Sequence, residues 1–358
     1  MLKRIFRDIL IVSGLILLWA STSRTAMKYL SDKRDNNTWW GTYQCLNGDL
    51  VSMAHLDAVA RFNPRKLKQN FKQPAYEGTR KTDLYLDGDS HTWHLDITNF
   101  AGLSAFHYFE RTHGYRYHLD KDKKSILLIE ISERYLQSYF SAPNMFDEVY
   151  DTSSQQKNSL LRCGPRAEIK QYASLFESIG LSELFNKNIN QNLECNLFNY
   201  NFIMPMFEYK AALNYYAFNR ASGDVVISND RKFLFYKETV SRTDVGSSYY
   251  AVTADDKARI VDILNKVYDH YKAAGFSEIY ISIVPNSASI MQPDGYNNLI
   301  PDIQNDPRLR MKVIDIYTVF KKSKELYFLP GDTHWNFKGK QLWLDVVNER
   351  LLQDTAAH

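Results

Sequence analysis

"KKSILLIEIS", residues 123 to 132, decides the fold. Its Ile-Leu-Leu-Ile run does not alternate apolar with polar residues, so both faces are buried, as in a strand inside a parallel sheet. Upstream, "TDLYLDGDS" (82 to 90) has a short apolar core ending in Asp-Gly-Asp-Ser, a strand entering a sharp turn. Downstream, "EIYISIVPNS" (278 to 287) repeats the buried pattern after "TADDKARIVDILNKVYDHYKAAGF". That stretch predicts a helix starting at Thr253, with acidic residues in its first turn, and ending at Gly275. "RLRMKVIDIY" (308 to 317) and "KELYFLP" (324 to 330) read as two more short strands, and "NFKGKQLWLDVVNERLL" as a closing amphipathic helix. Strands alternating with helices predict an α/β fold, a three-layer, doubly wound, mostly parallel sheet that binds ligands outside the carboxyl ends of its strands.

This domain is expected over residues 81 to 352, with an insertion at about 150 to 250 that breaks the alternation. The insertion holds a helical piece, "RAEIKQYASLFESIGLSELFN", and a hairpin, "DVVISNDRKFLFYKE", with its turn at Asn229-Asp230, together a cap over the active face. Residues 26 to 80 are polar and turn-rich, a membrane-proximal segment. Residues 1 to 25 read as a signal anchor or signal peptide: Lys3, Arg4 and Arg7 precede an apolar core from Ile9 to Ala20. As an anchor it is a single membrane helix, and as a cleaved signal it leaves a secreted chain. In both cases the residues beyond it are expected outside the cytoplasm, periplasmic or at the cell membrane.

Composition bounds the function. The 358 residues are 44% apolar and 14% aromatic, which is globular and long enough for a substantial core. A net charge of +3, with no basic cluster interleaved with aromatics, argues against nucleic acid. Cys45, Cys163 and Cys195 match no zinc or redox spacing, and one disulfide with one thiol left over fits an exported chain.

Three residues carry chemistry. A serine hydroxyl needs a base to take its proton, and the base works best when a third group fixes its tautomer. Ser90 comes after the first strand in a tight turn, where its backbone N–H can serve a developing oxyanion. Asp332, two residues before His334, can fold back on Nδ1 and leave Nε2 for the serine. His91 and Trp335 are expected to line the substrate site, although Trp335 fits packing beneath the loop equally well. A metal at Asp89, His91 and His94 is not expected, since no further ligands cluster there. Glu133 and Arg134, adjacent at a strand end, suggest a structural ion pair.

Together these features resemble SGNH-type hydrolases and acyltransferases, with Gly-Asp-Ser near the start of the domain and Asp-x-His near its end. "GDTHWNFKG" is similar to the Asp-Thr-His-Trp-Asn motif of the alginate O-acetyltransferase-like group, which acetylates bacterial cell-surface polysaccharides. "LLIEISERYLQ" (127 to 137) and "IVPNSASIM" (283 to 291) resemble further segments of that group, with Ser287 where it carries a lysine. The Ser-then-Asp-His order is that of ordinary SGNH esterases rather than of the alginate proteins. The resemblance implies an SGNH- or flavodoxin-like sheet and Ser90 as acyl nucleophile, with His334 as general base and Asp332 as its orienter. For the oxyanion hole it implies donors from Ser90, Gly102 and either Asn99 or Asn286. It also implies a membrane-bound O-acyltransferase partner as acyl donor and a cell-surface glycan as acceptor, with no cofactor. The same triad with water as acceptor is an acetyl or acyl esterase. A chain that kept the fold without turnover is a glycan-binding or scaffold subunit of an acylation complex.

Overall fold

The computed structural model describes residues 2–22, 48–62, 71–75, 81–110, 115–116, 119–139, 161–162, 200, 202–221, 223–323 and 325–356. The three cysteines and the expected helical piece at 166–186 lie outside these residues. The strands used below are β1 (Thr82–Gly88), β2 (Leu103–Glu110), β3 (Lys124–Ser132), β4 (Val225–Ile227), β5 (Leu234–Tyr236), β6 (Glu278–Val284) and β7 (Lys312–Val313). The helices are α1 (Leu2–Thr22), α2 (Asp49–Ala54), α3 (Glu133–Tyr139), α4 (Met204–Phe218), α5 (Lys237–Val240), α6 (Ala254–Ala273), α7 (Ser287–Met291), α8 (Leu299–Gln304), α9 (Ile316–Lys322) and α10 (Phe337–Ala356).

The chain divides into two units, residues 1–46, 55–58 and 165–219 in one, and 47–54, 59–164 and 220–358 in the other. In the first, α1 forms over the expected export signal, but among the described residues no helix is long and apolar enough to cross a membrane. The expected spanning helix is corrected accordingly. The apolar core from Ile9 to Ala20 rises about 18 Å as a helix, against ~30 Å of hydrocarbon. On α4, Met204, Ala211 and Tyr215 are buried, whereas Met206, Tyr209, Leu213 and Tyr216 are exposed.

In the second unit, five strands form one sheet in the order β2-β1-β3-β6-β7, and every neighbouring pair is parallel. The β3 segment holds a central place with both faces buried, as its unbroken apolar run requires. One face packs Leu127, Ile129, Ile279 and Ile281 against Ile260, Leu264 and Val267 of α6. The other packs Leu84, Leu86, Leu128 and Tyr280 against Phe320 of α9 and Trp343 and Val347 of α10. Helices thus cover both faces. α6 begins and ends as expected: the Thr253 side chain accepts from Asp256 N–H, and Gly275 takes φ 107° just past the end.

Two expected strands change. The 308 to 317 segment contributes only Lys312–Val313, because Asp315 accepts from Thr318 N–H and starts α9. The 324 to 330 segment is not a sheet strand: it makes one antiparallel bridge, Phe328 with Trp335, and folds back on itself. An edge strand that the pattern does not predict, β2, forms from "LSAFHYFE". The hairpin is present as β4 and β5, but its connection runs from Ser228 to Phe233 rather than turning tightly at Asn229-Asp230. Ser228 Oγ widens it by accepting from the Lys232 and Phe233 N–H groups.

Candidate active site

The strand order reverses direction between β1 and β3, and the turn after β1 therefore opens on a crevice at the carboxyl ends of the strands. Ser90 sits in that turn. Gly88 allows it, because a Cβ there would lie 2.2 Å from Thr92 Oγ1, so any other residue would push the turn open. Thr92 N–H donates to Asp89 O at 3.1 Å, and Asp89 N–H donates to Glu130 Oε2 on β3 at 2.9 Å. Tyr108 of β2 adds a donation to Asp89 O at 2.9 Å.

His334 comes from the other end of the chain on a tight loop between the Phe328 bridge and α10. Leu329 N–H donates to His334 O at 3.2 Å, and Asn336 N–H to Tyr327 O at 2.7 Å, which clamps the loop at both sides. His334 Nε2 lies 2.8 Å from Ser90 Oγ, and His334 Nδ1 lies 2.6 Å from Asp332 Oδ1. The same Asp332 oxygen accepts from His334 N–H at 3.0 Å, so one carboxylate holds both backbone and ring. The three residues expected to carry chemistry are thus in hydrogen-bond sequence, Asp332 to His334 to Ser90.

A further carboxylate stands beside them. Asp49 of α2 accepts from Thr333 N–H at 2.8 Å and from Thr333 Oγ1, and its Oδ2 is 3.9 Å from His334 Nδ1. Burial, and next the Asp332 charge, push its carboxyl above the usual carboxylate range. Val51 N–H also donates to Gly331 O at 3.1 Å. The sequence places these residues in the membrane-proximal segment, and the contact with Thr333 is not legible there, because Thr333 is hundreds of positions away. A hint was available in "NGDL" (47 to 50), a turn and helix start rather than a stalk.

His91 lies on the opposite side of His334, its ring centroid 4.8 Å away. It has its own carboxylate: His91 Nδ1 is 2.8 Å from Asp89 Oδ1, and Ser132 Oγ donates to the other Asp89 oxygen. Burial alone would raise the Asp89 pKa, but the His91 ring and the His91 and Ser132 hydrogen bonds hold it well below the usual range. His91 also lines a pocket with Ser132, Arg134, Tyr236, Asn286 and Thr333. Trp335 does not line it. At 5% exposure it packs in the core under the loop, donating from Nε1 to His91 O at 3.0 Å, so it is a strut for the turn.

The expected oxyanion donors separate. The Ser90 N–H belongs to the same residue as the hydroxyl that His334 meets. Gly102 precedes Leu103, which pairs with Thr82 at the start of β1. Since β1 and β2 are parallel, that position is a strand length, ~20 Å, from Ser90. Asn99 belongs to the same return connection: its Oδ1 accepts from Asp96 N–H, its carbonyl accepts from Asn348, and it is a cap. Asn286 is in the pocket, but its side-chain NH2 donates to Gly246 O and Ser248 Oγ. Glu133 does not pair with Arg134 as its position suggests. It accepts instead from Asn286 N–H at 2.9 Å and Ser289 Oγ at 2.5 Å, and burial pushes its carboxyl up to about 7.

Among the described residues, two sets of side chains gather enough donors to suggest a cation, Asp49 with Asp332 and His334, and Asp89 with His91 and Glu130. In each the His and a carboxylate oxygen are 2.6 to 2.8 Å apart, closed by a hydrogen bond. Ligands around a tetrahedral zinc, with ~2.0 Å bonds, stand ~3.3 Å from one another. His94 joins neither set. What the arrangement can do chemically is activate a serine hydroxyl. No protein-family model, no curated protein and no solved structure matches this chain.

Proposed function

We propose that the chain is an extracytoplasmic serine acyltransferase that moves an acyl group, acetyl by resemblance, onto a hydroxyl of a cell-surface glycan. The observation that carries this is the 2.8 Å approach of His334 Nε2 to Ser90 Oγ, with Asp332 on the far ring nitrogen. Ser90 Oγ attacks the donor carbonyl while its proton passes to His334 Nε2. The negative oxygen that forms is met by the Ser90 N–H, the leaving group departs with the His334 proton, and an acyl-serine remains. A glycan hydroxyl then gives its proton to His334 and takes the acyl group, and Ser90 recovers its proton as it leaves.

The sheet order favours an SGNH- or flavodoxin-like fold, with Ser90 at the switch point. A membrane-bound O-acyltransferase is the proposed donor. A second reading, an acetyl or acyl esterase, shares every step but the acceptor, and the site's partial exposure, with the His334 side chain 30% exposed, leaves water a route. The test is to treat the purified full chain with p-nitrophenyl acetate and locate the acetyl group by peptide mass. Acetyl on Ser90, absent in Ser90→Ala, supports acyl transfer, and a chain that is never acetylated on Ser90 overturns it. Adding oligosaccharide then separates the two readings: acetylated sugar marks the transferase, and acetate alone the esterase.

A further inference from the structure

The pocket beside the triad contains a cation that makes no ion pair among the described residues. Its walls are His91, Ser132, Tyr236, Thr239, Asn286 and Thr333, with Arg134 among them, and no carboxylate lines it. Arg134 stands in the first turn of α3, directly after the end of β3. Among the described residues no hydrogen bond or ion pair holds its guanidinium. Nε is buried without a partner, and the charged group stacks over the Tyr135 ring, 4.7 Å from the centroid. Its sequence neighbour Glu133 is turned to Asn286 N–H and Ser289 Oγ.

An unpaired guanidinium with a buried N–H costs free energy unless something accepts from it. Of the other polar side chains in the wall, Ser132, Thr239, Asn286 and Thr333 donate within the protein, which leaves the His91 Nε2 and the Ser287 hydroxyl to join Arg134 at an anion. The pocket also adjoins the reacting centre: His91 is next to Ser90 in the chain and packs 4.8 Å from His334, and Thr333 precedes His334. An acetyl group is small and neutral and has no use for such a charge, so the charge fits the acceptor.

We propose that this pocket is an anion subsite in which Arg134 binds a carboxylate or phosphate carried by the acceptor glycan, next to the hydroxyl that receives the acyl group. The guanidinium fork matches both groups in two-point contact. Only the identity of the carrier rests on the acyl-transfer reading.

Binding to the purified full chain tests this without turnover. Calorimetry would compare three hexamers, an oligouronate, a glycerol phosphate oligomer and a neutral glucan. One of the two anionic oligomers should bind about 10- to 100-fold tighter than the glucan, and which one it is names the group. Arg134→Gln should lose that preference, Arg134→Lys should keep part of it, and Ser90→Ala should keep all of it. Added salt should weaken the anionic oligomer only. Equal binding of all three, or a preference that survives in a folded Arg134→Gln chain, overturns the subsite. If Arg134→Gln does not fold, Arg134→Lys decides, since full retention of the preference there argues against two-point recognition. Arg134-dependent anion binding in a chain that never acetylates Ser90 keeps the subsite and removes the acyltransferase.

Discussion

His334 has a hydroxyl on one side of its ring and two carboxylates on the other, and these carboxylates have different tasks. Asp332 touches Nδ1 at 2.6 Å, and in the proposed reaction it sets the tautomer that leaves Nε2 free to take the Ser90 proton. Asp332→Asn should therefore slow Ser90 acetylation by about 10²- to 10⁴-fold with little change in fold, measured as the pre-steady-state burst of nitrophenolate. Asp49 reaches the ring only at 3.9 Å and acts through Thr333. Asp49→Ala removes the acceptor of three hydrogen bonds, two from Thr333 and one from Leu50 N–H, and should cost about 1 to 3 kcal/mol of stability, read by urea unfolding. The burst should fall about tenfold, much less than for Asp332→Asn, because loop aim rather than tautomer is disturbed. A burst unchanged in Asp332→Asn would remove that residue from the chemistry. Both triad pieces were legible in the sequence because each is a short local motif, Gly-Asp-Ser and Asp-Thr-His. Asp49 was not, since it is tied to them only through space.

At the scale of elements, the loop that presents His334 is shaped by a segment far from it in sequence. A Cβ on Gly331 would lie 2.3 Å from Val51 Cγ2 and 2.4 Å from Phe62 O, so α2 and the residues after it lie directly against the loop that carries Asp332 and His334. Gly331→Ala should destabilise by about 1 to 3 kcal/mol through overpacking, and it should lower the acetylation burst more than the global loss of stability explains. A chain starting at residue 81 should likewise fail to acetylate Ser90, even if secondary structure by circular dichroism persists. Full activity in that chain would show that α2 is dispensable. Strands buried on both faces were readable from their apolar runs, as in β3 and β6. The edge strand β2 escaped because its mixed, half-buried face carries Ser104 and His107 among its apolar residues, and "KELYFLP" misled because Phe328, apolar and fully buried, packs beneath a loop rather than in the sheet.

For the molecule as a whole, the parallel order with its reversal beside β1 makes one edge of the sheet the place where distant segments meet, and Glu133 ties that edge together. It stands directly after the last residue of β3, and it accepts from Asn286 after β6 and from Ser289 on α7, so it couples two central strands at their carboxyl ends. Burial raises its folded pKa to about 7, from an ordinary value of 4.5. The native chain therefore holds this proton between about pH 4.5 and 7, where the unfolded chain has already released it, and the slope of stability against pH is negative there. Stability from this group is fully present below about 4.5, declines as pH rises to about 7, and is then flat. At 1.36 kcal/mol per unit, the loss across the window is on the order of 3 kcal/mol. Glu133→Gln keeps an oxygen for Asn286 N–H and Ser289 Oγ but cannot ionise. Urea unfolding midpoints taken from pH 5 to 8 should therefore fall with pH in the native sequence and fall less in the variant. Parallel curves for the two would mean that Glu133 is already ionised throughout that range in the folded protein.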